Sequence, residues 1–182
     1  MEHILINCQE RPVKMIWDLA SRLWPHAPEL WPTPSLGIAL GCGSIHVPQP
    51  GERNATQDEH LALRHGTCNG ATRLLQILIT ESIHLIWVLR CERVIQERPH
   101  TENEIQARWF RTINTRLMED KITATRIKRE QTYTKRVIST WGPVLSLNAD
   151  PPNNEPNTWL TNSEVLVGRR MLRPLSVGER GP

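Results

Sequence analysis

Apolar side chains recur at helical spacing in four stretches of the chain. In the first, Val13, Ile16, Trp17, Ala20, Leu23 and Trp24 share one face. Pro12 stands near a first-turn position and Pro25 ends the pattern. The second, Gly70 to Glu97, is the most apolar. Ala71, Leu75, Leu78, Ser82, Leu85 and Leu89 form one seam, and Leu74, Ile79, Ile86, Trp87, Val94 and Ile95 widen it. An arc that broad predicts burial on more than one side and makes this helix the centre of the fold. The third stretch opens with Thr101 and Glu104, a T-x-x-E capping box, ahead of Ile105, Trp109, Phe110, Ile113 and Leu117. The fourth is expected from about Asp120 to Trp141, stopping at Gly142 and Pro143. Its residues Ile127, Val137, Ile138 and Trp141 project opposite Lys121, Lys128, Arg129, Lys135 and Arg136.

Proline decides what lies between. Eleven of the 14 prolines cluster in residues 25 to 50 and from 151 onward, where regular structure is not expected. Trp17, Trp24 and Trp31 recur every seven residues, but Pro25 and Pro28 interrupt any continuous helix, so loop packing explains the spacing better than a heptad. The apolar patch Leu36 to Leu40 reads as a loop that packs, with a short strand or helical turn as the other options. Residues 46–69 are polar and without sustained periodicity, as an exposed connection would be. The expected fold is mainly α: one small domain of about four helices over residues 1–145 with a proline-rich loop insertion, then a flexible tail over 146–182 in which Glu164 to Val167 docks locally.

Composition alters this picture at one place. The net charge of the 182 residues is only +3, yet Lys121 to Arg136 holds six basic residues against one acid, Glu130. A basic helical face neutralises phosphates and releases counterions, so Lys121, Lys128, Arg129, Lys135 and Arg136 are the candidate nucleic-acid contacts. Such a face is more often merely solvated. With few aromatics besides tryptophan, and Trp141 on the other face, base stacking is not expected. Any contact would be with DNA or RNA without sequence preference.

Other chemistries find less support. The uncharged run Leu30 to Gly51 is broken by four prolines and four glycines, and charges interrupt the apolar helix, so no membrane partner is expected. Cysteines 8, 42, 68 and 91 show no disulfide framework, and an intracellular protein with reduced thiols is the expectation. His3 and Cys8, spaced H-x4-C, are suitable zinc ligands but only half a site. No cofactor is expected unless the missing ligands are supplied. Asp18, Glu59, Glu81, Glu92, Glu119 and Asp120 are scattered over helices and loops rather than gathered for two-metal catalysis, and no enzymatic activity is expected. Gly-flanked Cys42 with His46, and Glu81 with His84, are more simply a turn and a helix edge.

A resemblance adds to this reading. MEHILINCQ, the helix with IWDLASRLW and the segment WPTPSLGIALGCG resemble the region of fungal non-LTR retrotransposon polyproteins at and after the reverse-transcriptase zinc-binding motif. ESIHLIWVLRCERVIQE, ENEIQARWFRTINTRLMEDK and RVISTWGPVL are similar to the stretch that ends such polyproteins. The resemblance covers roughly Glu2 to Leu145. In that family an H-x4-C pair closes a zinc site opened by a C-x-x-C, a half that would lie upstream of His3. The resemblance thus implies a non-catalytic accessory segment or remnant of an element, with a helical interaction module or a truncated product as the alternatives.

Overall fold

The computed structural model describes residues 5–6, 11–47, 70–127, 131–148, 158–162 and 165–168. Among these the protein is mainly α, with five α-helices and no strand: α1 (Arg11–Leu23), α2 (Leu36–Gly41), α3 (Gly70–Ile95), α4 (Glu102–Arg126) and α5 (Gln131–Asn148). Single 3-10 turns lie at Pro28–Leu30, Cys42–Ser44 and Thr158–Leu160.

α3 packs against α1, α4 and α5, and α4 in turn touches α1 and α5. The core between them holds Ile16, Leu74, Leu78, Trp109, Ile113, Leu117, Val137 and Trp141, all fully buried. Each buried indole finds an acceptor, which removes the desolvation cost of its N–H. Trp17 donates to the Leu5 carbonyl at 3.0 Å, Trp109 to Ser82 Oγ at 3.1 Å, and Trp141 to Asp120 Oδ2 at 2.6 Å. Trp24 donates to the Ala27 carbonyl at 3.3 Å. Trp31 meets the Trp24 ring at 6.0 Å after the 3-10 turn, so the tryptophan spacing is indeed loop packing.

The capping box forms as expected, with Thr101 Oγ1 accepting from the Glu104 N–H and Glu104 accepting from the Thr101 N–H. Several boundaries differ from expectation. The patch at Leu36, whose first reading is a packing loop, takes its helical option as a six-residue helix, capped by Ser35 Oγ accepting from the Ile38 N–H. Asp120 and Lys121 belong to α4, which continues to Arg126 because no glycine or proline stops it, and the chain turns at Ile127 instead. α5 runs through Gly142 and Pro143 to Asn148. Pro143 cannot donate to the Ser139 carbonyl, but buried Trp141, Val144 and Leu145 hold the helix on the core. That spare carbonyl faces the start of α3, where a helix has spare N–H groups. The approach is so close that a Cβ on Gly70 would lie 2.2 Å from the Ser139 oxygen.

The connection over 46–69 departs from expectation, and so does the tail at Trp159 and Leu160, whereas Val165 and Val167 dock within the Glu164 to Val167 stretch where docking is expected. Val47 is buried and its N–H donates to Thr72 Oγ1 at 2.9 Å, so the connection expected over 46–69 begins in the core, and residues 48–69 lie outside the described ones. In the expected tail, Trp159, Leu160 and Val165 pack on the core and Val167 is buried. α3 has the length and apolar composition to cross a membrane, yet in this fold its first five turns form the centre of the bundle.

Candidate nucleic-acid interface

The basic run from Lys121 to Arg136 is divided by the fold. α4 carries its first part and α5 its last, with Lys128 and Arg129 outside the described residues. Arg126, Lys135 and Arg136 are exposed, and none is within ion-pair distance of a carboxylate among the described residues. On α5 the buried positions Val137, Thr140, Trp141 and Val144 occupy the core side, which leaves Thr132, Lys135, Arg136 and Ser139 to solvent.

Lys121 does not join them. It is 3% exposed, and its ammonium donates to the Asn162 carbonyl. Burial pushes its pKa down. The assignment of Lys121 to an exposed basic face is therefore corrected: at the end of α4 its position points beneath the C-terminal segment. Ile127, expected on the apolar side, is exposed. Trp141 is fully buried, away from any base.

The acid within the same stretch, Asp120, is taken out of play. Arg73 of α3 grips it through two 2.7 Å bonds, Trp141 donates to it at 2.6 Å and the Tyr133 hydroxyl at 3.1 Å. Burial raises the Asp120 pKa, but the bonds from Arg73, Trp141 and Tyr133 outweigh it and hold the carboxyl below the usual aspartate value. Every oxygen is occupied, so the cluster ties α3, α4 and α5 together rather than presenting a reactive group. A sign of it stands in the sequence: Asp120 is in phase with Ile113, Leu117 and Ala124, the buried stripe of α4. A polar residue in such a stripe needs a partner.

The other candidate acids are held by arginines. Glu81 pairs with Arg116 at 3.0 Å instead of with His84, Asp18 with Arg22 at 2.6 Å, and Glu119 with Arg116 at 3.1 Å. Glu92 takes both nitrogens of Arg108, at 2.6 and 2.9 Å. The buried His100 Nε2 lies 2.9 Å from the same carboxylate, but off the angle for a hydrogen bond. Glu59 and the half-site residues His3 and Cys8 lie outside the described residues. Among the described residues no three His, Cys, Asp or Glu side chains gather as metal ligands. Cys42 and Cys91 are free thiols.

An open groove of about 760 Å³ runs beside α1 between Trp17, Met15, Trp31 and Pro34. Glu102, the first residue of α4, lies at its edge, at the opposite end of that helix from Arg126. Comparison with family models, with characterised proteins and with solved structures gives no match for this chain.

Proposed function

We propose that this protein is a non-catalytic helical module that contacts nucleic acid through the basic corner formed by the end of α4 and the start of α5, in the manner of an accessory segment of a retrotransposon polyprotein. One observation carries the reading. Arg126, Lys135 and Arg136 are exposed without carboxylate partners among the described residues, while the nearby Asp120 is buried and neutralised by Arg73. The corner thus keeps positive charge that no described carboxylate pairs with, which is what phosphate attraction requires. It has no exposed aromatic for stacking among the described residues, so the interaction is electrostatic and indifferent to sequence.

The test is fluorescence anisotropy with a labelled single strand and a labelled duplex across a salt series. Three cations on phosphates predict a slope of log K against log salt of roughly −2 to −3. Reversing Arg126, Lys135 and Arg136 to Glu removes binding. Absence of binding at low salt, or binding that ignores salt, overturns the reading. Its retroelement part rests on the resembling segments, and is decided by whether an in-frame C-x-x-C and a polymerase region precede Met1 in the genomic sequence.

A second reading, a protein-interaction module, is favoured by the outer face of α3. Trp87, Val94 and Ile95 are 44%, 58% and 77% exposed along one stripe. Concentration-dependent sizing that changes on Trp87→Ser would support it.

A further inference from the structure

The C-terminal residues Thr158–Asn162 and Val165–Gly168 lie along one side of α4 and run antiparallel to it. Asn162 meets Lys121, Val167 meets Asn114, and Gly168 meets Phe110. Asn114 copies a strand partner, its Oδ1 accepting from the Val167 N–H at 2.7 Å and its Nδ2 donating to the Val167 carbonyl at 3.3 Å. Gly168 has φ +78, and a Cβ there would lie 2.0 Å from the Phe110 ring, so only glycine allows this approach.

The third contact is of another kind. Lys121 is a buried ammonium whose named partner is a neutral carbonyl, with no carboxylate in ion-pair distance among the described residues. An ammonium so placed loses hydration without gaining a counter-charge. Burial accordingly depresses its pKa. Docking of the segment is opposed at this one point, and release returns a hydrated cation to the surface. Lys121 stands five residues before Arg126, about 7.5 Å along the axis of α4 and about 140° around it, so a released Lys121 would widen the basic surface at this end of the helix rather than share a face with Arg126.

We infer that the segment is a detachable strap that withholds Lys121 from the phosphate-binding corner, so that its release strengthens nucleic-acid binding. This rests on the phosphate-binding reading above and names a control on that same surface.

The experiment uses the full chain carrying Asn114→Ala and Gly168→Val together. Amine acylation, read by mass spectrometry without nucleic acid present, is expected to spare Lys121 in the parent chain and to modify it several-fold faster in the double variant. Anisotropy over a salt series is expected to steepen by roughly 0.7–0.9 in slope, one added phosphate contact, and the gain is expected to vanish when Lys121→Met is added. Lys121 acylated as fast as Lys135 in the parent chain, or protected equally in both chains, overturns the strap. So does an unchanged slope in a double variant whose Lys121 is labelled while the parent chain binds; the phosphate-binding reading then survives. No binding by either chain at low salt overturns both. If the double variant loses its helical circular dichroism, Lys121→Met alone decides. Unchanged salt dependence supports a withheld Lys121, and a shallower slope overturns it.

Discussion

The long first part of α3 and its last turn and a half both carry apolar side chains and are opposite in fate. From Gly70 to Leu89 the helix is walled by α1, α4 and α5, and Leu74, Leu75, Leu78 and Ile79 are essentially inaccessible. Beyond Leu89 no residue of the helix is buried, and Val94 and Ile95 face solvent. The first part is joined to its neighbours by close backbone approach at Gly70 and by the Arg73–Asp120 pair. Surface ion pairs tie down the second, with Glu92 on Arg108. Burial thus follows from what stands opposite a side chain more than from the side chain itself.

The sharpest way to break this contrast is Asp120→Ala. It takes the counter-charge from the part-buried Arg73 guanidinium and the acceptor from the buried Trp141 N–H, and the loss is expected to be about 3–5 kcal/mol, read from the urea midpoint. Replacing Arg73 and Asp120 together by apolar residues is expected to cost less than Asp120→Ala alone. Next, Gly70→Ala forces its methyl group onto the Ser139 carbonyl, so α3 and α5 must move apart. A loss of about 1–3 kcal/mol and a lower Tm are expected.

Acid separates the two parts more finely. The Glu92 pKa is lowered, chiefly by the hydrogen bond from Arg108, and the Asp120 pKa is lowered although burial opposes it. A carboxyl with a depressed folded pKa stabilises the fold above its unfolded pKa, about 4. That contribution disappears as pH falls through the folded value. Unfolding monitored from pH 6 to 2 is expected to show stability falling below about pH 4. Asp120→Asn is expected to flatten that fall more than Glu92→Gln, because Asp120 is less open to solvent screening. The smallest effect is expected for Ile95→Ser, within about 0.5 kcal/mol by the same urea measurement. A larger loss in dilute protein would mean that the outer stripe is covered after all.

Much of the architecture was legible in the chain. The α1 face, the capping box at Thr101 and the start of α3 at Gly70 all depend on residues close in sequence, and they formed where periodicity and capping placed them. Local rules failed at Pro143. A proline stop holds for a helix in water, but here Val144 and Leu145 gain burial that offsets one missing hydrogen bond. They failed also at Ile127, where no glycine or proline announces the turn. Of the five basic candidates, Lys135 and Arg136 are exposed as a basic face requires, and Lys121 is not.

Sequence alone determined where α1, α3 and α4 begin and which of their faces are chiefly apolar, because backbone hydrogen bonding and side-chain periodicity act within a few residues. Only the tertiary structure decided that the seam of α3 is buried as far as Leu89 while Trp87, Val94 and Ile95 stay exposed, that Asp120 answers Arg73 from 47 residues away, and that Lys121 lies under Asn162. Burial and charge pairing depend on groups distant in the chain, and no local pattern encodes which of them arrive.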